Sequence, residues 1–245
     1  MNNTQLGIHH LSYDDLTNHQ ILHEFIYPDM FKNYYWSDDF SAEYYIAKAK
    51  AGFIAVTDYY EEEELLLPEI QFNYALLDFD DLHISTKVKK LLQTKNLQLE
   101  VSQNLDDVVE GINKLHKYNW LTPKYLNTLK ASQGLDKNFK VISALIRDED
   151  EVVAGEIGYM IGKTYTSLSG FSKREKEYRN YGTAQLVLLA LYLKEKGFTF
   201  WNLGQCYMPY KLMLGAKIFE RRDFLKRWYL ETDNSISALP KQLKG

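Results

Sequence analysis

Residues 140–172 read KVISALIRDEDEVVAGEIGYMIGKTYTSLSGFS, and this stretch decides the fold. It holds three runs rich in β-branched and aromatic residues, with Asp148-Glu149-Asp150 and Gly162-Lys163 as turns between them. That pattern predicts a meander of three antiparallel strands. Downstream, residues 181–196 have the length and apolar spacing of an amphipathic helix closed by Gly197. TFWNLG (199–204) then reads as a strand, MPYKLML (208–214) as a short helix, Gly215 as a break and AKIF (216–219) as a last strand. Three antiparallel strands, a helix, a strand, a helix and a strand make an α/β (α+β) domain with one mixed, mostly antiparallel sheet flanked by helices.

Upstream, SAEYYIAKAKAG (41–52) reads as a helix opened at Ser41 and ended by Gly52. FIAVTDYY (53–60) is a strand, EEEE (61–64) a turn, and LLLPEIQFNYALLD (65–78) strand material broken at Pro68. Residues 85–92 suit a short helix, LQLEVS (97–102) alternates as a strand does, and 104–118 and 122–132 suit two helices. The second opens with Thr122 as cap and Pro123 in its first turn. Residues 1–40 show no clear period beyond one helix around His19–Tyr27. The expected division is a small N-terminal subdomain over 1–70 and the main domain over 71–245.

With 245 residues, 45% of them hydrophobic, the chain has ample material for a buried core. Its 19 tyrosines leave ring faces for a surface or a cleft. A net charge of −4 argues against a general nucleic-acid coat but leaves room for local basic faces. Such faces are Lys87, Lys89, Lys90 and Lys95, and then Lys211, Lys217, Arg221, Arg222, Lys226 and Arg227. Each reads as either a solvated face or an anion contact. Cys206 is the only cysteine, so no intramolecular disulfide and no thiolate zinc cluster is expected, and a reducing cytoplasmic setting is the default. No apolar run approaches the ~20 residues of a membrane span, and MNNTQLGIHHLSYDD lacks the form of a signal peptide.

Two segments can carry chemistry. Arg179-Asn180-Tyr181-Gly182-Thr183-Ala184 lies where a strand gives way to the long helix. A glycine there lets backbone amides face a ligand, and a helix start favours negative charge. The alternative is a plain tight turn. The stretch resembles the R-x-x-G-x-A pyrophosphate loop of the GNAT acyltransferase superfamily, which implies a GNAT-like fold. The second segment is Trp201-Asn202-Leu203-Gly204-Gln205, at the carboxyl end of a strand, where crevices open in α/β sheets. Alternation places Leu203 and Gln205 on one face and Asn202 on the other. Gln205 offers a neutral donor and acceptor that can orient an amine or polarise a carbonyl, but no general base. It could equally cap the strand end.

From Gln205 through Leu214-Gly215-Ala216 to Arg221-Arg222-Asp223-Phe224-Leu225 the chain resembles the leucyl/phenylalanyl-tRNA–protein transferase family. Ser169, Phe171 and Ser172 fit that family's E-S-M-F-S stretch, NWLTP (119–123) its W-I-T-P, and DDLHIS (80–85) the segment before its transferase domain. The resemblance implies transfer of an aminoacyl group from charged tRNA to a protein N-terminal or small amine. Because the tRNA ester is already activated, no metal or diffusible cofactor is implied. It assigns catalysis to Gln205, and substrate binding to Trp120, Ser169, Phe171, Asn202 and Gly204. Lys211, Arg221 and Arg222, with Arg179 and Gly182 of the loop read above, are the expected tRNA or phosphate contacts, in a chain expected to be a monomer with no membrane partner.

The chain departs from the family where carboxylates are expected. Leu203 replaces the aspartate two positions before the glutamine, Leu168 replaces the glutamate of E-S-M-F-S, and Val56 and LLLP replace tryptophan-bearing segments. Glu156 stands instead in the apolar run VVAGEIGYMI, where the family has a hydrophobic pocket residue. A carboxylate there is costly unless paired. It either faces the cleft and binds a cation (the substrate amine or a basic side chain) or points to solvent. Tyr165 is either a ring wall of the pocket or core. Two rival functions remain from the sequence. One is an acyl-coenzyme A-dependent N-acyltransferase with Tyr210 as general acid; the other is a catalytically inactive binding module on the same fold.

Overall fold

The computed structural model describes residues 7–117 and 119–232. The N-terminal part contains β1 (His9–His10), α1 (Tyr13–Thr17), a π-helical stretch (Ile21–Ile26), β2 (Tyr35–Trp36), α2 (Ala42–Lys50), β3 (Ile54–Tyr60) and β4 (Glu63–Glu69). Next come β5 (Asn73–Asp78), α3 (Thr86–Thr94), β6 (Leu97–Ser102), α4 (Asp106–Leu115) and α5 (Pro123–Ala131). The chain continues through β7 (Phe139–Asp148), β8 (Glu151–Ile161), β9 (Thr164–Ser172), α6 (Tyr181–Glu195), β10 (Phe200–Gln205), α7 (Pro209–Met213), β11 (Lys217–Glu220) and α8 (Arg221–Thr232).

Seven strands form one sheet in the order β11-β5-β10-β9-β8-β7-β6. Only the β9–β10 pair is parallel, as the crossover helix α6 between them requires. The long strands alternate between two cores. Phe139, Val141 and Leu145 of β7 face a cluster with Tyr45, Tyr125, Tyr159 and Trp228, while Ile142, Ala144 and Ile146 face one with Val187, Ala190 and Trp201. Helices α4, α5 and α8 and the N-terminal elements cover the first face; α3 and α6 cover the second.

Four expectations need correction. Pro68 does not break a strand: it pairs with Ala55 inside the two-stranded ribbon β3–β4, whose strands lack neighbours in the central sheet. Proline is tolerated at such an edge, and the chain turns instead at residues 70–72. The acidic run is only half a turn, because Glu63 and Glu64 already pair in β4. Helix α6 is not amphipathic in the simple sense. Its apolar side chains meet the sheet on one side and α3 on the other, so apolar residues run round most of it. Finally, the strand over 217–220 is not the last element of the described residues, because a helix follows it. Helix α8 buries Arg221, Phe224, Leu225, Trp228 and Thr232, a helical stripe, and stacks Phe224 on Tyr74 at 3.7 Å between ring centroids.

The functional consequence of this topology lies between β9 and β10. They pair only from Phe200↔Thr164 to Asn202↔Thr166. Beyond that rung β9 runs on to Ser172 while β10 bends at Gly204, whose φ of +72° only glycine adopts without strain. The strands splay, and a wedge opens in the middle of the sheet.

Candidate active site

The wedge is a cavity of about 600 Å³. Strands β8 and β9 supply Glu156, Ser167, Leu168, Ser169 and Phe171; the tip of β10 supplies Leu203, Gly204 and Gln205. Gly182, Thr183 and Gln185 from the start of α6 close one end, Tyr210 and Lys211 of α7 another. The ribbon β3–β4 and its flanks cover the opening with Ile54, Val56, Glu69 and Gln71, and Trp120 and His116 stand beside them.

Gln205, half-buried, holds its amide between two partners. Its Nε2 donates to Glu69 Oε2 at 3.3 Å, and its Oε1 accepts from the Tyr207 hydroxyl. Trp120 lines the same cavity, its ring edge-on to Tyr125 at 5.2 Å. Ser169, Phe171 and Gly204 line it as well. Asn202 does not. It is buried, and its Oδ1 accepts the Gly204 N–H at 2.9 Å, so it braces the bend that aims Gln205. The bend also undoes the simple alternation: Leu203, Gly204 and Gln205 all reach the cavity.

Glu156 faces the cavity rather than open solvent, and is only 5% exposed. One oxygen accepts from Tyr165 Oη at 2.7 Å and from Ser167 Oγ at 2.8 Å, and Ser167 in turn accepts from Trp201 Nε1 at 2.7 Å. Burial pushes the carboxyl up to about 7, against the pull of those hydrogen bonds, of Gln185 and of the nearby Lys211 charge. Tyr165 is fully buried and does not line this cavity; it stands behind Glu156 as a donor, in the core rather than as a pocket wall.

The basic residues divide. Lys211 is buried with its Nζ on the carbonyls of Leu203 and, at 2.7 Å, of Gln205, and burial lowers its ammonium to about 8. It clamps the tip of β10, and its donors are not aimed at a phosphate. Arg221 is 1% exposed and donates to the carbonyls of Ile26, Tyr27, Asp29, Lys32, Ile70 and Gln71. It cannot touch tRNA without leaving that cage. Arg222 is exposed beside Asp223 and lines neither this cavity nor the cleft around Arg179. Arg179 lies in a second cleft of about 370 Å³ with Lys173, Arg174 and Lys176. That cleft joins the first through Ser172, Arg174, Gly182 and Thr183. Gly182 lets the chain approach Ser172 closely there: a Cβ would meet Ser172 Cβ at 3.0 Å and press that side chain aside by a few tenths of an ångström.

Residues not foreseen from the sequence come mostly from the N-terminal part. Glu69 and Gln71 follow directly on the LLLP segment, but nothing local marks them as neighbours of Gln205. His116 also lines the wall, with its Nε2 3.1 Å from the Gly170 carbonyl. Among the described residues no group of three His, Cys, Asp or Glu side chains is placed to hold a metal, and no helix is long and apolar enough to cross a membrane.

The fold is a mixed, mostly antiparallel sheet flanked by helices, opened between its parallel pair with a helix start at the mouth. Among solved structures, a GCN5-related N-acetyltransferase from Kribbella flavida is similar with a TM-score of 0.37 and 12% identity, over 71% of this chain and 59% of that one. The particular family is given by sequence. The profile of the leucyl/phenylalanyl-tRNA protein transferases matches residues 76–229, more than half of the chain, and the chain belongs to that family. A leucyl/phenylalanyl-tRNA–protein transferase of Pseudomonas fluorescens (strain Pf0-1) is 29% identical over 150 residues, 59% of this chain and 62% of that protein. One from Flavobacterium johnsoniae is 25% identical over 157 residues, 61% of this chain and 69% of that protein. The chain thus spans a little under two thirds of the first relative's length.

Proposed function

We propose that this protein is a tRNA-dependent aminoacyltransferase that moves an amino acid from aminoacyl-tRNA to an amine, such as a protein N-terminus. The observation that carries the reading is the cavity in the splay between β9 and β10, where Gln205, Trp120 and Glu156 meet. In it the acceptor amine attacks the ester carbonyl. The C–N bond forms, the C–O bond to the ribose breaks, and the ribose oxygen takes up a proton. Gln205 Nε2 faces the site where the tetrahedral oxyanion develops and steadies it. Glu156, when charged, holds the α-ammonium of the aminoacyl group, which compensates for the leucines at 168 and 203. Ser169, Phe171 and Trp120 bound the aminoacyl group, so catalysis rests mainly on positioning.

Arg179 and Gly182, in the cleft that joins the cavity, receive phosphates of the tRNA 3′ end, and Arg174 shares both openings. As written, the reaction needs no cofactor, because the ester supplies the activation. In this reading residues 71–245 form the transferase domain, residues 1–70 cover its cleft, and the protein works as a monomer in the cytoplasm. The test is transfer of labelled amino acids from a panel of charged tRNAs to peptides with free N-termini, with binding of charged and uncharged tRNA measured alongside. Transfer with preference for charged tRNA is expected. Stabilisation by acyl-coenzyme A with no transfer from any charged tRNA would replace this reading with an N-acyltransferase. Neither effect would leave a binding module.

A further inference from the structure

A second carboxylate looks into the same cavity from the N-terminal side. Glu69 ends β4, where it pairs with Ile54 and bridges to Tyr34. Its Oε1 accepts from Asn33 Nδ2 at 3.0 Å; its Oε2 takes Gln205 Nε2 at 3.3 Å and Gln71 Nε2 at 3.4 Å. No Lys, Arg or His nitrogen of the described residues lies within ion-pair distance of it. Arg221, whose charge couples to Glu69, is engaged with backbone carbonyls. The side-chain donors on Glu69 are therefore all neutral: the amides of Asn33, Gln71 and Gln205 and the Tyr34 hydroxyl.

Gln71 sharpens the point. It is 4% exposed and lines the cavity, and its Oε1 is buried with no hydrogen-bond partner among the described residues. Turning the amide over would set that oxygen against the Glu69 carboxylate, so the donor end belongs on Glu69 and the acceptor end is left open. A buried acceptor without a partner is rare in a folded protein and points to a missing donor. A carboxylate without a cation and an amide oxygen without a donor, side by side on one cavity wall, call for a ligand that is positive and rich in N–H. A primary ammonium has both properties.

We propose that Glu69 and Gln71 form the subsite for the acceptor's protonated amine, which deepens the transferase reading and rests on it. The aminoacyl ester then lies against β9 and Glu156, and the acceptor enters under the β3–β4 ribbon, with Gln205 between them. The docked ammonium gives one proton to the Glu69 carboxylate. The free amine forms the C–N bond as the ester C–O bond breaks, and its second proton leaves with the ribose oxygen. Glu69 then returns its proton to water.

Equilibrium binding of a panel of hexapeptides, each with a free and with an acetylated N-terminus, tests the subsite without tRNA. Wild-type protein is expected to bind free N-termini at least tenfold more tightly than acetylated ones, and Glu69→Gln to remove most of that difference. Gln71→Leu, which keeps the carboxylate, is expected to weaken only the free form. In transfer kinetics both variants should raise KM for the acceptor while leaving KM for charged tRNA unchanged. Equal binding of both peptide forms by wild type, or no peptide bound at all, overturns the subsite. Active transfer with an unchanged acceptor KM in both variants also overturns it, while leaving the transferase reading intact. Failure of wild-type transfer with retained preference for free N-termini would instead remove the transferase reading.

Discussion

Gln205 and Glu69 stand 136 residues apart in the chain and meet at 3.3 Å, amide to carboxylate. One ends the strand that follows the long helix α6; the other ends a ribbon strand of the N-terminal part. The contact closes the cavity on one side and orients the amide, so the aim of Gln205 depends on both parts of the chain. Gln205→Ala is expected to lower kcat by two to three orders of magnitude, the usual range for losing one oxyanion donor. Binding of charged tRNA should stay within about twofold of wild type, which filter binding checks. A fall in tRNA affinity that matches the fall in rate would take Gln205 out of the chemistry.

Lys211 is expected to act on architecture rather than on tRNA. Lys211→Met removes the donors on the Leu203 and Gln205 carbonyls and leaves those oxygens poorly satisfied. The expected cost is about 2 kcal/mol of stability. Transfer should fall with it, because the tip of β10 loses its clamp. The salt dependence of tRNA binding should not change, and a shallower slope would return Lys211 to the phosphate contacts.

Glu156 makes stability depend on pH in a defined direction. Its carboxyl sits at about 7 when folded and ordinarily near 4.5, so between these values the folded state holds more proton than the unfolded state. Stability therefore falls as pH rises from 4.5 to 7, by on the order of 3 kcal/mol at about 1.4 per pH unit. Lys48 and Lys211, lowered to about 7 and about 8 by burial, have their effect between those values and 10.5, outside this window. Glu156→Gln should flatten the slope between pH 5 and 7 in thermal melts. Transfer by wild type should rise through pH 7 as the carboxylate ionises, and the variant should lack that limb. An unchanged melting slope in Glu156→Gln would contradict the burial argument.

The two adjacent arginines are expected to behave as opposites. Arg221→Met removes a guanidinium from six carbonyls and should cost about 3 kcal/mol or more, whereas Arg222→Ala should stay within about 0.5 kcal/mol. Neither should alter how tRNA affinity responds to salt. Arg179→Ala, and Arg174→Ala beside it, should each reduce the slope of log affinity against log salt by about one. Chemical denaturation and salt-titrated filter binding separate these outcomes.

Much of the framework was legible because its signals are local. Ser41, Ser85 and Thr122 cap helices where the sequence places caps, and the strands of 140–172 lie where alternation and turns put them. Helix α8 carries a local signal as well, since Arg221, Phe224, Leu225 and Trp228 show helical spacing once Arg221 is allowed to be buried. An arginine reads as surface until six carbonyls converge on it from a distant loop. At the tip of β10 strict alternation fails at a glycine with positive φ, so Gly204 reaches the cavity beside Leu203 and Gln205, while Asn202 stays off it as alternation predicts.

Element types and their order follow from periodicity, capping and spacing, which act within a few residues of chain. What surrounds Gln205 does not, because strand pairing and loop crossing bring together positions that no short-range pattern relates. The splay of β9 from β10, the burial of Glu156 behind Ser167 and Tyr165, and the arrival of Glu69 and Gln71 were decided only by the packed chain. Burial and convergence of polar groups are properties of a three-dimensional neighbourhood, and they turn otherwise ordinary side chains into a site.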